Sequence, residues 1–562
     1  MKLSDAQIAA RVSTGVYFSE WRRKIHRLRR LTAGDITALE EWGTRTSSRE
    51  ENMSTLANGA RATDLYDILV MDVQEGRSND LLNAVRTLML QVSLQFPDVE
   101  FEDLDSDLAA VNSAYIKDRA KRCALRKHRR LALSDYLIGG LGCTFTGFRD
   151  GMPFTEFVDA LDFVWDLTAQ TFEDMRWASR TVRRPLGEWL DDLDSKAGAK
   201  LLKILGRDRK DSLHEDEPIA IACYYDVIGE EGNEAKFVLS GEDMVSEDDL
   251  IERVANPSGE YTSGARKVVV PFNVTTYLSM PSVRNPIGAV EQMLPAQIAV
   301  WKADRIIQDS IDLGTPAREM EEGAYTPESL EAWKEDPTTI LVRNKGSQPM
   351  IQSEPQDVPP RTLEYRNMNE SAIVKQSGAN PYASGTPVKG TQYAAEVNAI
   401  QGSAGLVAGA IAKDEAAAWV VDVQRLLAVG KDYDDEALLV RLRDGDDVLE
   451  IQFDQSNPIR EYLRPDAQIV VAEDGLMYKP REQKMAAAAA DVQMGMSLAQ
   501  LFPNFVKKAA EDYLRASGKR NIGEYLEAPA PVMPMGDPMM AQGGAPMPGD
   551  AAQNAMSSTA GA

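Results

Sequence analysis

A stretch too rich in glycine and proline to hold regular structure runs directly into the longest helix-compatible segment of the chain, and this junction limits the fold more than any other feature. Residues 378–393 read GANPYASGTPVKGTQY and residues 394–430 read AAEVNAIQGSAGLVAGAIAKDEAAAWVVDVQRLLAVG. Gly378, Pro381, Gly385, Pro387 and Gly390 exclude a continuing helix or a central strand, so the stretch must project. From Ala394 to Val429 there is no proline, and Val397, Ile400, Ala404, Val407 and Ile411 recur at helical spacing before the apolar run from Trp419 to Leu427. Such a helix would be roughly 50 Å long at 1.5 Å per residue. Gly402, Gly405 and Gly409 each cost about 1 kcal/mol relative to alanine inside a helix, which predicts a bend or the close approach of a neighbouring backbone. Two readings stay open here: a core helix carrying a surface loop, or a helix that faces a neighbouring subunit and holds the loop over a lumen.

A chain of 562 residues is long enough for several domains. Its 87 acidic against 62 basic residues give a net charge of −25. That balance argues against a sequence-reading DNA binder, which depends on Lys and Arg neutralising phosphates. An acidic wall nevertheless suits a passage for DNA, because it repels the polymer. Cys123, Cys143 and Cys223 are odd in number and far apart, so neither a disulfide framework nor a paired-cysteine zinc site is expected, and a reducing compartment is the default. Without a signal-like N-terminal run or an apolar stretch of about 18 residues, the sequence predicts neither a secreted nor a membrane protein.

In chain order, residues 3–42 read as helix, with WRRKIHRLRR at Trp21–Arg30 making one face basic, solvated or salt-bridged. A second basic helix is expected from Lys117 to Arg130, ending at Gly139–Gly140 before a strand. Asp103, Asp105 and Asp107 alternate as in a calcium loop, but Leu108 and Ala114 stand where the turn glycine and the bidentate glutamate belong. Residues 152–177 read as a strand, an acidic turn and a helix start capped by Thr171 and Asp174. A helix from Arg184 to about Gly206 follows. Residues 218–280 read as a β-rich insertion of about sixty residues: a hairpin, an acidic segment with a short helix, and a strand at 265–280. Such a module between helices predicts that the flanking helices pair antiparallel. The second of them follows NPIG (285–288) and runs to about Leu313, bent or begun at Pro295. Residues 317–377 read as irregular with short strands at TTILVRN (338–344) and RTLEYRN (361–367). After Gly430 come a hairpin turning at Asp444–Gly445, a strand in AQIVVAEDG (467–475), helices over 480–527 and a Pro/Gly/Ala/Met tail that predicts disorder.

Catalytic machinery is missing from this pattern. GTPVKGT (385–391) places its second glycine after the lysine, unlike a phosphate loop. His26, His128 and His214 sit in charged surroundings that predict exposure, which disfavours a His triad or a multi-histidine metal site. Glu247, Asp248 and Asp249, and Asp434 with Asp435, read as solvated turns without a convergent partner. The expectation is a protein that is not an enzyme and holds no cofactor or metal.

The segments together resemble the portal (head-to-tail connector) proteins of tailed double-stranded DNA bacteriophages, over roughly residues 60–525. DALDFVWDLTAQTFEDMRW resembles the family's stretch before the first stem helix. IACYYDVIG and VVVPFNVTTYLSMPSVRNPIGAVEQMLPAQIAVWKADRII are similar to the clip strands and the second stem helix. SGANPYASGTPVKGTQYAAEVNAI resembles the channel loop and long kinked helix, and VAEDGLMYKPREQKMAAAAADVQ the start of the helical crown.

The resemblance implies an α+β, mainly helical protomer: a wing from 1–183 and 316–480, an antiparallel stem from 184–211 and 285–315, and a small α/β clip at 212–284. It further implies a channel loop at 376–393 with the long helix 394–429 behind it, a crown at 481–527 and a disordered tail at 528–562. It implies a homo-oligomeric ring, typically a dodecamer, at the portal vertex of the virion, assembled in the host cytoplasm. Its partners would be terminase, head-tail adaptor, major capsid and scaffolding proteins, with double-stranded DNA passing non-specifically and no membrane. Asn380, Tyr382, Lys389 and Lys375 would touch DNA without reading bases, and Trp189, Ile298, Trp301 and Ile307 would pack the stem. A monomeric, scaffold-like capsid-associated protein and a DNA-packaging enzyme are the rival classes.

Overall fold

The computed structural model describes residues 3–13, 16–33, 79–92, 97, 99–149, 151–206, 217–239, 245–278, 286–313, 318–319, 325–329, 331, 342–346, 351–352, 358–377, 394–434, 438–444, 447–453, 457–471, 485, 488–494, 506, 509–510 and 513–514. About 54% of these residues are helical and about 23% lie in strands, so the chain is α+β, mainly helical, with several small antiparallel sheets. Residues 1–478 form one unit and 479–562 another. Every described residue of the second unit is helical, and the tail expected over 528–562 lies outside the described residues.

The helix expected over 3–42 is, in its described part, α1 (Asp5–Val12) and α2 (Val16–Thr32). A capping box starts α1: Ser4 Oγ accepts from the Gln7 N–H, and Gln7 Oε1 accepts from the Ser4 N–H. In α2 the apolar Phe18, Trp21, Ile25 and Leu28 recur at helical spacing and are buried, which keeps most of the basic run off that stripe. Next come α3 (Asp80–Val92), β1 (Val99–Phe101), α4 (Ser106–Arg122) and α5 (Leu125–Gly139). The single basic helix expected over 117–130 is therefore two, because Ala124 turns left-handed at φ 51°. Gly140, at φ 87°, ends α5 where the backbone of Ile287 passes so close that a Cβ would lie 2.4 Å from its carbonyl carbon.

β2 (Leu141–Arg149), β3 (Met152–Phe157), β4 (Phe163–Trp165) and β5 (Trp177–Pro185) follow. No helix starts at Thr171: its hydroxyl donates to Asp174 in a tight turn, and the chain enters β5, whose ladder with 218–226 decides the conformation. The helix expected from Arg184 to Gly206 is likewise the end of β5, with Arg184 paired to Ile219, and then two short helices, α6 (Leu186–Asp192) and α7 (Ser195–Ile204). Leu193 is extended between them, and Asp194 takes the N-cap position of the second.

β6 (Pro218–Asp226), β7 (Asn233–Val238) and β8 (Leu250–Val254) complete a sheet in the order β4-β5-β6-β7-β8. The acidic segment contributes a short 3-10 turn (Glu247–Asp249) before β8. β9 (Gly259–Thr262) and β10 (Ala265–Val268) form a ribbon turning at Ser263–Gly264, and β11 (Phe272–Thr276) joins a sheet ordered β11-β2-β3. Pro271, which has no N–H to give a ladder, separates the last two strands. The expectation of a separate β-rich insertion is thus corrected: β6 pairs with β5 and β11 with β2, which satisfies strand edges that would otherwise stay open.

α8 (Ala289–Leu313) contains Pro295 and leads through the short pair β12 (Arg318–Glu319) and β13 (Ile351–Gln352) to α9 (Pro360–Ser377). Residues 361–367, read as a strand, are helical. Pro360 opens α9 at the first helical position, and the alternating Leu363 and Tyr365 remain exposed. α9 packs along α8: Arg366 Nε donates to Asp304 at 2.5 Å, and Ile373, two turns later, packs in the cluster holding Met293, Leu294 and Trp301. Contacts that move backward along α8 as α9 advances make the pair antiparallel. The chain ends its first unit with α10 (Ala394–Tyr433), the hairpin β14 (Leu438–Asp444) and β15 (Asp447–Phe453), and β16 (Ile469–Val471), which pairs with β1. Asp444 pairs with Asp447 at the end of this ladder, and residue 445 of the expected turn lies outside the described residues.

Candidate functional site

The long helix behind the Pro/Gly-rich stretch is the best-defined candidate element. α10 has 40 residues and is continuous through Gly402, Gly405 and Gly409; its length is about 60 Å at 1.5 Å per residue. Among the described residues a Cβ at Gly409 would meet nothing within 4 Å, so no neighbouring backbone approaches closely there. A close side-chain approach occurs at Gly430, where a Cβ would collide with the Tyr115 hydroxyl.

Along its C-terminal half, Ala408, Ile411, Ala412, Glu415, Ala416, Trp419, Asp422, Val423 and Leu426 are buried at helical spacing, so two carboxylates lie on the apolar stripe itself. Each meets a partner. Arg129 of α5 is fully enclosed and grips Glu415 through Nε (3.0 Å) and Nη2 (2.6 Å), with Nη1 3.5 Å from Asp422 Oδ2. Asp422 Oδ1 accepts from Thr144 Oγ1 of β2 and Asn273 Nδ2 of β11, both at 2.8 Å. Next to them, Tyr136 donates its hydroxyl to Asp414 at 2.6 Å. At the helix end, Asp434 accepts from Arg119 Nε (2.8 Å), Arg119 Nη2 (3.1 Å) and the Tyr115 hydroxyl (2.7 Å). Arg119 and Asp434 are both 0% exposed.

Electrostatics holds the Arg129 guanidinium charged and the Tyr115 and Tyr136 hydroxyls neutral. Burial lowers the affinity of the Arg129 guanidinium for its proton, but Glu415 and Asp422 more than offset this and raise it. Burial and then the Asp434 charge push the Tyr115 hydroxyl well above the ordinary tyrosine range, and burial and Asp414 do the same to Tyr136. The arrangement fixes α10 to α4, α5, β2 and β11 through charge-assisted hydrogen bonds. Asp434 had read as part of a solvated turn, and its buried pair with Arg119 corrects that.

Arg29 carries a further charged junction, bonded to Asp135 (2.7 Å) and Asp159 (2.9 Å). Burial pushes the Asp135 carboxyl up to about 6, with Arg29 opposing and Asp159 adding to the rise. A carboxyl raised above its unfolded value near 3.8 stabilises the fold fully below that value and loses the contribution as pH rises through about 6. Relative to Asp135→Asn, the wild-type chain should thus gain thermal stability as pH falls from 7 to 4, by about 3 kcal/mol in the limit. A midpoint difference that stays flat or shrinks on acidification contradicts this.

The residues expected from sequence fare differently. Lys375 is exposed near the end of α9, whereas Asn380, Tyr382 and Lys389 lie outside the described residues. Trp301 is buried on α8, Ile298 packs partly buried against the same cluster, and Ile307 is half-buried further along the helix. Trp189 belongs to another cluster, with Leu186, Leu201 and Ile219, and its indole N–H donates to the Ile219 carbonyl. These four are not brought together: the antiparallel partner of α8 is α9.

A cleft of about 470 Å³ between the two larger sheets is lined by Phe145, Arg180, Cys223, Tyr225 and Tyr433 among others. Burial pushes the Cys223 thiol up to about 11, so it is a poor nucleophile there. His26 is exposed as expected, while His128 is half-buried, its Nδ1 accepting from the Phe157 N–H. Among the described residues no group of three His, Cys, Asp or Glu is placed to hold a metal ion, and no helix is long and apolar enough to cross a membrane. No protein-family model matches the chain, and no curated protein matches it.

Proposed function

We propose that the chain is a phage-type portal subunit: a protomer of a ring, of about twelve copies in the resembled family, that forms a channel for double-stranded DNA at one capsid vertex. In this reading the ring serves DNA packaging, retention and ejection, and presents docking surfaces to terminase, adaptor, capsid and scaffolding proteins. The observation that carries the proposal is the anchoring of α10. A loop that works on a moving polymer needs a stiff base, and the helix that directly follows residues 376–393 is held by buried ion pairs at Glu415, Asp422 and Asp434. Charge supports it as well. The chain carries −25, and Arg29, Arg119 and Arg129 from its basic runs are engaged internally, so the bulk of the surface repels phosphate within a Debye length of about 8 Å. Asn380, Tyr382, Lys389 and Lys375 would supply weak, sequence-independent contacts.

Deleting residues 379–390 tests the loop's role. Rings should still assemble, because the ion pairs that hold α10 lie elsewhere, while DNA retention in filled heads is lost. Packaging and retention at wild-type levels in the deletion would remove the loop from the mechanism. Steady ATP turnover by the purified chain would instead favour a packaging enzyme.

A further inference from the structure

We infer that Lys117, Lys121, Lys127 and Arg130 form an outward basic ridge that docks the phosphate backbone of double-stranded nucleic acid without reading its sequence. On an acidic chain, the stretch KDRAKRCALRKHRR (117–130) holds eight Lys or Arg and a single Asp. The structure divides these cations by role. Arg119 and Arg129 turn inward to Asp434 and Glu415, Arg122 is paired with Asp118 at 3.0 Å, and Arg126 is engaged too. Lys117, Lys121, Lys127 and Arg130 are exposed, and among the described residues no side-chain hydrogen bond or ion pair engages them.

Helix geometry puts them on the outward side. At about 100° per residue, positions 117 and 121 lie some 200° around α4 from the inward Arg119, and position 127 lies as far around α5 from the inward Arg129. Lys117 and Lys121 are one turn apart, about 6 Å along the axis. With the break at Ala124 the ridge spans both helices.

Composition selects the partner. Protein interfaces are built around aromatic and aliphatic anchors and are depleted in lysine. This ridge is three lysines and an arginine with no aromatic residue among them, and Leu131 is the one large apolar side chain exposed beside it among the described residues. Ammonium groups on flexible stems suit point-charge contact with phosphates, and no amide side chain stands on the ridge to read a base edge. The net charge of −25 does not prevent this, since repulsion from distant carboxylates is screened beyond about 8 Å at physiological salt.

The inference adds a nucleic-acid contact apart from the proposed channel loop and does not depend on ring formation. Its test is fluorescence anisotropy of the full chain with labelled mixed-sequence duplexes of about 30 base pairs, between about 50 and about 200 mM salt. Four phosphate contacts should cost wild-type binding on the order of 100-fold across that range, alike for unrelated sequences. The variant Lys117→Gln/Lys121→Gln/Lys127→Gln/Arg130→Gln should lose most of the affinity and flatten the logarithmic salt slope by about 3 to 4. The control Lys196→Gln/Lys200→Gln, exposed on α7, should bind as wild type. Equal binding and equal slopes for the ridge variant and wild type would overturn the inference, as would a marked preference among duplex sequences. A ridge variant that changes the mass of the protein alone while binding DNA unchanged would assign the surface to a protein contact, and so also overturn it.

Discussion

Replacing Asp434 with alanine should destabilise the first unit by about 3 to 5 kcal/mol, the usual cost of removing one partner from a buried ion pair. Arg119 would lose two charge-assisted bonds and the Tyr115 hydroxyl its acceptor, at positions that are 0% exposed. Gly430 leaves room for the Tyr115 ring, since a Cβ there would collide with its hydroxyl. Asp434→Asn keeps an acceptor for Tyr115 but not the charge, so it should cost less than the alanine. Denaturant titration separates the outcomes: a loss below about 1 kcal/mol for Asp434→Ala would be that of an exposed pair and would contradict the burial described.

Arg129→Met should be at least as damaging. It removes the cation that Glu415 and Asp422 share in the core, with Arg425 the remaining positive charge coupled to Asp422, and an unpaired buried charge is far costlier than a buried pair. Arg129→Lys should recover little, because an ammonium cannot reproduce the two-pronged contact with Glu415. Neutralising all three positions, with Arg129→Met, Glu415→Gln and Asp422→Asn, should restore much of the loss. If the triple variant is no more stable than Arg129→Met by the same titration, charge imbalance is not the cause.

These clamps mark where reading the sequence succeeded and where it stopped. The long helix was legible because alanine and a regular apolar stripe dominate 394–429, and the hairpins at 218–238 and 438–453 because turn residues divide β-branched runs. The clamp leaves a trace in the sequence: Glu415 and Asp422 are seven residues apart in phase with Ile411 and Trp419, and Arg129 is in phase with Leu125 and Leu133. A charge on an apolar stripe signals a buried partner, though not which one. Residues 184–206 failed for a different reason, because leucines at helical spacing could not reveal that Arg184 belongs to a nine-residue ladder with a strand more than thirty residues away. In α9, Leu363 and Tyr365 alternate like a strand, but their exposure shows that the alternation marks no buried face. Of the four loop residues named, only Lys375 lies among the described residues.

If many copies of this chain close around a shared passage, the decisive observation is the mass of the purified full-length protein by light scattering, joined to an end-on image of the same particles. A ring of about twelve chains of 61.9 kDa with an open centre is the expected result. Particles with the mass of one 61.9 kDa chain at every concentration, and no central opening, would contradict it.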